Sequence, residues 1–188
     1  KTAYEIYQCD WSSDVCSSDL GATQGVKVTL VQDTKYPWDG KVALTVKPSA
    51  PSTFALNVRI PGWAQNAAVP SDLYSYIDKL TTPVTLTVNG VAQKVSPVNG
   101  YARINRAWKS GDVVVLNLPM PVRRVAANEK VAADKGRVAF QRGPIVYAAE
   151  WPDNPNAYLR NMYVSDTAPA TAEFRPSLLG GVDRKSTR

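Results

Sequence analysis

Hydrophobic and polar residues alternate with a period of two along most of this chain. One run of alternation covers residues 26–31 (VKVTLV) and a second covers residues 42–46 (VALTV), with residues 35–40 (KYPWDG) between them. A third run covers residues 54–60 (FALNVRI) and ends at a Pro-Gly pair. Because successive side chains of a strand point to opposite faces, this period predicts half-buried strands of antiparallel sheets. The first two runs and their turn predict a hairpin.

The most regular pattern lies in residues 100–124 (GYARINRAWKSGDVVVLNLPMPVRR). Alternation breaks at residues 109–112 (KSGD), resumes, and stops before Pro119. This predicts two strands joined by a tight turn and paired as a hairpin, in which Gly111 supplies a positive φ. Proline lacks a backbone donor, so Pro119 ends the second strand.

Two further strand pairs are indicated. The Asn89-Gly90 dipeptide between residues 84–88 and 91–95 is a strong signal for a two-residue hairpin turn. Residues 138–142 and 145–150, on either side of a Gly-Pro pair, predict one more pair of strands or a single bent strand.

Three segments have weaker patterns. Residues 64–82 predict a long connection in which Ser71-Asp72 caps a single helical turn. The Ala- and charge-rich residues 125–135 suit either a short helix or an extended crossing segment, and residues 156–182 show little regular pattern.

The spacing of these elements predicts the fold class. We count seven or eight strands before Trp151, with no alternation of strands and helices. The sequence therefore predicts an all-β protein, an antiparallel β-sandwich followed by the start of a second β-sandwich near Lys135.

Composition narrows the class of function. The 188 residues are 44% hydrophobic, enough for a sizeable core, and carry a net charge of +6. Basic and acidic residues are interspersed, and no basic run is longer than two residues, as in Arg123-Arg124, so nucleic-acid binding is not indicated. No apolar run is long enough to span a membrane.

Both ends of the chain differ from the rest. Residues 183–188 (DRKSTR) can be encoded by the DNA sequence GATCGGAAGAGCACACGT. Its reverse complement, in a reading frame that starts within the codon of Asp14, encodes the remainder of residues 14–20 (DVCSSDL). The two ends of the chain can therefore be translations of opposite strands of one short DNA. This DNA resembles a common sequencing adapter, as does the coding of residues 1–6 (KTAYEI). We therefore set residues 1–20 and 183–188 aside as adapter artefacts. Cys9 and Cys16 both fall in residues 1–20. If that segment were genuine, the two cysteines would indicate a disulfide loop or half a metal site.

Four tryptophans, Trp38, Trp63, Trp108 and Trp151, sit at predicted strand ends or turns. Such rings can stack on sugars, but they more often close a core with the indole N–H bonded to a backbone carbonyl. The core role is favoured for each. The case for sugar binding is strongest for Trp38 and Trp151, because polar residues, among them Asp39 and Asp153, stand beside them.

The chain offers no catalytic constellation. It contains no histidine, which excludes a Ser-His-Asp triad and histidine-ligated metals. Glycosidic cleavage needs two carboxylates at a fixed separation. Asp39, Asp72 and Asp153 lie in predicted turns, where Asp commonly bonds its own backbone. We therefore assign no catalytic, cofactor-binding or metal-binding residue.

Five blocks in order resemble glycoside hydrolase family 127, the β-L-arabinofuranosidase family, in the region after its catalytic domain. The blocks are YPWDGKVALTV (36–46), FALNVRIPGWA (54–64), VTLTVNG (84–90), GYARINRAWKSGDVVVLNLPMPVRRV (100–125) and GRVAFQRGPIVYAAEWPDN (136–154). The resemblance implies a middle β-sandwich domain over residues 21–135 and the start of a truncated C-terminal β-sandwich domain over residues 136–182.

The resemblance also implies what lies outside the chain. Members of the family have an α/α-barrel that holds a cysteine nucleophile, an acidic catalytic residue and a zinc site, and none of these residues has a counterpart here. We therefore expect this part to support the barrel and to be inactive alone. The resemblance further implies that the full enzyme acts on an arabinose-containing glycan and holds zinc in the barrel. Tyr36, Trp38, Trp63 and Trp151 are candidates to face the barrel or to contact sugar.

Two alternatives remain open from the residues. A free-standing carbohydrate-binding or adhesive module would present Trp38, Trp63 and Trp151 as an exposed, coplanar platform, whereas a scaffold would bury them. An independent enzyme would need Asp39 or Asp153 to meet a second acid in one cleft. The sequence does not indicate the compartment, the sugar linkage or the oligomeric state.

Overall fold

The computed structural model describes residues 3–5, 15–23, 26–150, 158, 161–175 and 182–186, with side chains for residues 26–150, 158 and 161–173. The strands of the first part are β1 (Ala3–Glu5), β2 (Val15–Thr23), β3 (Val26–Thr34), β4 (Lys41–Pro48), β5 (Ser52–Arg59), β6 (Tyr74–Tyr76), β7 (Thr85–Val88) and β8 (Val91–Gln93). They are followed by β9 (Tyr101–Trp108), β10 (Asp112–Asn117), β11 (Val122–Ala127), β12 (Val138–Arg142), β13 (Ile145–Tyr147), β14 (Thr171–Arg175) and β15 (Val182–Ser186). Short 3-10 helices occupy Gly62–Gln65 and Ala132–Asp134. The all-β prediction is confirmed.

The chain divides into two compact units. Unit 1 contains Lys1–Gln65 and Thr81–Pro119, and unit 2 contains Asn66–Leu80 and Met120–Arg188. Residues 66–80 therefore belong with the C-terminal part of the chain. The compact units divide at Pro119, and the domain boundary expected at residue 135, between the paired strands β11 and β12, stays a prediction.

Unit 1 is built from two sheets. A six-stranded sheet has the order β2-β3-β4-β10-β7-β8, and a three-stranded sheet has the order β1-β5-β9. All the pairings are antiparallel except that of β1 with β5. The predicted hairpin of β3 and β4 is confirmed.

The core of unit 1 receives every second side chain from both sheets, as in a sandwich. The six-stranded sheet contributes Val28, Leu30, Leu44, Val46, Leu86, Val88, Val114 and Leu116, and the other sheet contributes Phe54, Leu56, Val58, Ala102, Ile104 and Trp108, all buried. Each fully buried aliphatic side chain contributes about 1.5–3 kcal/mol relative to an exposed one. The alternation seen in the sequence is thus the burial pattern of the sandwich.

The predicted hairpin of residues 100–124 is wrong in its pairing. The turn exists, and Gly111 has the expected positive φ of 92°. However, β9 pairs with β5 in one sheet, whereas β10 pairs with β4 and β7 in the other. The connection is an arch from one sheet to the other, because each strand finds longer partners elsewhere.

The Asn-Gly hairpin of β7 and β8 is confirmed. Asn89 and Gly90 both have positive φ, at 50° and 80°, as a two-residue turn with this twist requires. Gly90 has open space where a Cβ would stand, so its backbone conformation alone favours glycine.

Unit 2 contains a four-stranded sheet of order β13-β12-β11-β6, with antiparallel pairings, and a separate pair of β14 with β15. The helical turn predicted after Ser71-Asp72 is wrong: β6 is a strand because β11 offers it backbone partners. Residues 125–135 are extended in β11 and then form a 3-10 helix. The hairpin of β12 and β13 is confirmed. Residues 156–182 are more regular than predicted, since they include β14.

Thirteen described strands precede Trp151, more than the seven or eight predicted. The additional strands are short or lie in the N-terminal segment, where β2 pairs with β3. The adapter hypothesis concerns the origin of that segment and stays a prediction. None of the helices in the described part of the chain is long and apolar enough to cross a bilayer.

Candidate functional site

An aromatic corner in unit 1, formed by Tyr36, Trp38 and Trp63, contains three of the four candidate residues. Tyr36 and Trp38 stand in the turn between β3 and β4 and are half-buried, whereas Trp63 lies on the first 3-10 helix and is only 7% exposed. The fourth candidate, Trp151, lies outside the described residues.

Two hydrogen bonds of the Thr34 hydroxyl and one between backbone groups hold the turn of the aromatic corner. The hydroxyl of Thr34 accepts from the Tyr36 N–H at 3.0 Å and donates to the Lys41 carbonyl at 2.8 Å. The Trp38 N–H donates to the Lys35 carbonyl at 2.8 Å. The peptide bond before Pro37 is cis. The three hydrogen bonds fix the backbone from which both half-buried rings project.

A hydrogen bond links two residues of the corner. Burial raises the pKa of the Tyr36 phenol, and the side-chain hydrogen bond with Trp63 opposes that rise. An indole N–H can only donate, so Trp63 donates to the phenol oxygen. Tyr36 is therefore a neutral acceptor at physiological pH, and the pair does not act as a general base.

The other tryptophan considered for a sugar platform, Trp108, lies in the core. It is 1% exposed, its indole N–H donates to the Phe54 carbonyl at 3.1 Å, and its ring stacks on Phe54 with the centroids 5.8 Å apart. This is the core role that the sequence favoured.

Asp39 and Asp72, the two acidic candidates that the structure describes, both make contacts at the surface. Asp39 is exposed and its Oδ1 accepts from the Lys41 N–H at 2.9 Å, which is the turn role predicted for it. Asp72 is exposed and lies 3.7 Å from the Lys130 ammonium, an arrangement worth little in water. Asp153 and Cys9 lie outside the described residues, as does the side chain of Cys16.

The buried carboxylate of unit 1, Asp112, is 1% exposed. Its Oδ2 accepts from the Lys109 N–H at 3.0 Å and its Oδ1 from the Asn89 amide at 2.9 Å. Burial alone would raise the pKa of Asp112, but these hydrogen bonds and the charges of Arg106 and Lys109 outweigh it, so the pKa lies below its ordinary value. Asp112 thus links the β9–β10 turn to the β7–β8 turn. Because its pKa is lowered, it is ionised at neutral pH and cannot act as a general acid.

The sequence missed a polar cluster on one face of the sheet in unit 2, formed by Tyr76, Arg123, Gln141 and Asn66. Arg123 is 3% exposed, its guanidinium lies 3.5 Å from the centroid of the Tyr76 ring, and its Nη1 donates to Asn66 Oδ1 at 3.0 Å. The Tyr76 hydroxyl donates to Gln141 Oε1 at 2.8 Å. Burial lowers the pKa of Arg123 and raises that of Tyr76.

A signal for this cluster was present in the sequence. Arg123 and Arg124 are consecutive in a strand, so one of them must face the inner side of the sheet. The structure buries Arg123, while Arg124 makes a bidentate contact with Asp78 at 2.8 and 2.6 Å. This contact lowers the pKa of Asp78. Both arginines are therefore structural, and neither is placed for chemistry.

A cavity of about 230 Å³ opens on the same face of this sheet. It is lined by Ala68, Val69, Tyr74, Val125, Ala139, Gln141 and Val146, none of which is acidic. The described residues also include no group of three His, Cys, Asp or Glu side chains that could hold a metal ion. Apart from Tyr74 and Gln141, the side chains around this cavity are apolar.

Comparison with known proteins gives two family matches. Residues 14–120 match the model described as the GH127 middle domain of β-L-arabinofuranosidase, and residues 122–179 match the model of the glycoside hydrolase family 127 C-terminal domain. These two spans meet beside the division at Pro119, and the first span also contains residues 66–80, which belong to unit 2.

Individual relatives give the same result. A non-reducing end β-L-arabinofuranosidase of Bifidobacterium longum is 38% identical over 164 residues, which is 83% of this chain and 22% of that protein. A solved GH127 β-arabinofuranosidase has a TM-score of 0.83 at 38% identity, covering 92% of this chain and 26% of its own. A GH127 β-L-arabinofuranosidase from Geobacillus stearothermophilus T6 has a TM-score of 0.76 at 37% identity, with 92% and 24% covered. The chain therefore spans about a quarter of the relatives it matches.

Proposed function

Because the chain belongs to glycoside hydrolase family 127, we propose that it forms the non-catalytic β-sandwich region of a glycoside hydrolase of the β-L-arabinofuranosidase type. The observation that carries this proposal is the match of residues 14–120 and 122–179 to the middle and C-terminal domains, together with coverage of only 22% of the Bifidobacterium relative. Bond cleavage is then the task of another part of the whole enzyme.

The role of the region in the whole enzyme is support. A sandwich with a buried apolar core and hydrogen-bonded turns can hold a neighbouring catalytic barrel and the loops at its sugar site in place. The aromatic corner suits this role, since Tyr36 and Trp38 are half-buried on a fixed turn and keep surface for a further contact. We propose that this corner faces the barrel or the rim of its sugar site, and that Trp151 shares this role.

The substrate of the whole enzyme is proposed to be an arabinose-containing glycan, because two of the relatives bear the name β-L-arabinofuranosidase. Zinc is proposed to belong to the catalytic barrel. The chain has no histidine, and its described residues include no group of three His, Cys, Asp or Glu side chains that could hold the metal.

A binding module with an exposed tryptophan platform is less well supported. Such a platform needs rings that face solvent, and Trp63 is 7% exposed while its indole N–H is used by Tyr36. The scaffold proposal accounts for both facts.

A chimera tests the support role. In the Bifidobacterium relative, the segment aligned with this chain would be replaced by the chain's own residues, or deleted. We expect the chimera to keep kcat and KM within a few-fold, and the deletion to yield little folded enzyme. A deletion variant with an unchanged melting temperature and full activity would contradict the support role.

A further inference from the structure

The outer face of the β5–β9 ribbon, which we call the arginine face, is formed by Asn57, Arg59, Tyr101, Arg103 and Asn105. Asn57 lies directly opposite Arg103, and Arg59 lies opposite Tyr101, so these side chains share one face of the sheet. Arg59, Arg103 and Asn105 are exposed, while Asn57 and Tyr101 are half-buried. The other face of both strands packs into the core.

The arginine face has positive charge on β5 and β9, and the third strand of the sheet, β1, brings Glu5 into register with Asn57. Neither β5 (STFALNVR) nor β9 (YARINRAW) contains an acidic residue. Arg59 and Arg103 are diagonal neighbours across the pair, which places their Cβ atoms about 7–8 Å apart. Two like charges at this spacing repel each other, and an anion bound between them would remove that cost.

Several hydrogen-bonding groups of this face are unused. Within the described residues, the side chains of Asn57, Arg103 and Asn105 make no hydrogen bond or ion pair. The Arg59 side chain is held by two neighbours. Its guanidinium carbon lies 5.2 Å from the centroid of the Tyr101 ring. The guanidinium also lies close to Gly100, where an added Cβ would stand 3.3 Å from Arg59 Nη1. One guanidinium is therefore preorganised, and amides that can pair with hydroxyls flank the second.

From this arrangement we propose that the arginine face binds a linear polysaccharide that carries carboxylates, such as a chain of uronic acids. Guanidinium groups bind carboxylates in bidentate fashion, and amides donate to and accept from sugar hydroxyls. The face is built on two paired strands, and one exposed ion pair contributes little. An extended polymer suits it better than a single sugar, because its repeated carboxylates engage both arginines at once.

Two other anionic partners suit the face less well. A stable protein interface needs apolar anchors at its centre, and Tyr101 is the one large ring on this face. A nucleic acid needs contacts to roughly 6–10 phosphates for strong binding, and two arginines supply fewer. The site is also independent of the support role, which stands if this proposal fails.

Affinity electrophoresis of the purified chain in gels that contain polygalacturonate tests the proposal. We expect retardation that weakens as NaCl rises from about 50 to about 500 mM. The R59Q/R103Q variant should raise the apparent Kd about tenfold or more, since two charge-assisted contacts are lost. Neutral arabinan and a duplex DNA of equal mass concentration should not retard the chain.

Matched variants complete the design. The K94Q/R137Q variant removes two exposed positive charges outside the face and should bind polygalacturonate as the parent chain does. Because Arg59 also packs on Tyr101, R103E serves as a second variant, at a side chain without a hydrogen bond or ion pair among the described residues, and it should abolish retardation. Absence of retardation, equal loss in the K94Q/R137Q variant, or equal retardation by arabinan or DNA would each overturn the proposal.

Discussion

The indole N–H of Trp108, at the end of β9, donates to the carbonyl oxygen of Phe54, near the start of β5, at 3.1 Å. The two rings also stack, so one tryptophan ties both strands of the ribbon and fills the core beneath them. The W108F variant keeps an aromatic ring but leaves the Phe54 carbonyl without this donor. We expect a loss of about 1–3 kcal/mol in the free energy of unfolding.

Urea titration followed by far-ultraviolet circular dichroism measures this loss without relying on tryptophan fluorescence. The control is V91A, since Val91 is 65% exposed and its truncation should change stability by less than about 0.5 kcal/mol. Equal midpoints for W108F and the parent chain would show that the hydrogen bond contributes nothing.

Asp112 makes unit 1 sensitive to acid. Its pKa in the folded chain lies below the ordinary value of 3.8, so its contribution to stability is fully present above that value. The contribution is lost as the pH falls through the lower, folded pKa. In D112N an amide N–H faces donor groups, so we expect a loss of about 1–3 kcal/mol at pH 7 that shrinks below about pH 4.

Denaturant midpoints of D112N and the parent chain between pH 7 and pH 2.5 test this expectation. The pKa of Asp78 in unit 2 is also lowered, because Arg124 donates hydrogen bonds to its carboxylate. Some acid sensitivity therefore remains in D112N. The exposed Asp33 supplies the control, D33N, which should leave the profile unchanged. A stability gap between D112N and the parent chain that stays constant down to pH 2.5 would rule out Asp112 as the titrating group.

Asn66 closes the segment of residues 66–80. Its Oδ1 accepts from the Leu80 N–H at 2.7 Å and from Arg123 at 3.0 Å, and its Nδ2 donates to the Leu80 carbonyl at 3.2 Å. Its backbone has a positive φ of 63°. N66G keeps this backbone conformation and removes only the side-chain bonds, which should destabilise unit 2 by about 1–3 kcal/mol.

Hydrogen exchange at the Leu80 amide measures the effect locally. We expect faster exchange in N66G, and a further loss of about 1–2 kcal/mol in N66A, because alanine resists the left-handed conformation. Unchanged protection of Leu80 in N66G would mean that β6 alone holds the segment.

Sequence pattern predicted the parts of the fold that depend on local chemistry. Alternation identified the buried faces of β3, β4 and β5, and the turn residues Asn89 and Gly111 adopt positive φ as expected. It did not predict which strands pair, since alternation fixes the face of a strand and not its neighbour. The arch between β9 and β10 was missed for this reason, although the turn itself was correct.

The candidate site was partly predictable for a similar reason. The aromatic residues of the corner were identified, because tryptophans beside prolines and glycines mark loop ends. Their burial depends on tertiary contacts such as that of Tyr36 with Trp63, which lie far apart in the sequence. The cluster around Arg123 needed the pairing of β11 with β12 and β6, which brings Gln141 and Tyr76 to the same face.

Turnover by the purified chain tests the central claim most directly. The chain would be incubated with p-nitrophenyl β-L-arabinofuranoside, with and without added zinc, beside an equal amount of the full-length Bifidobacterium relative. A non-catalytic region predicts release of p-nitrophenol by the relative and none above the buffer blank by the chain. Release by the chain that scales with its concentration and survives repurification would contradict the account.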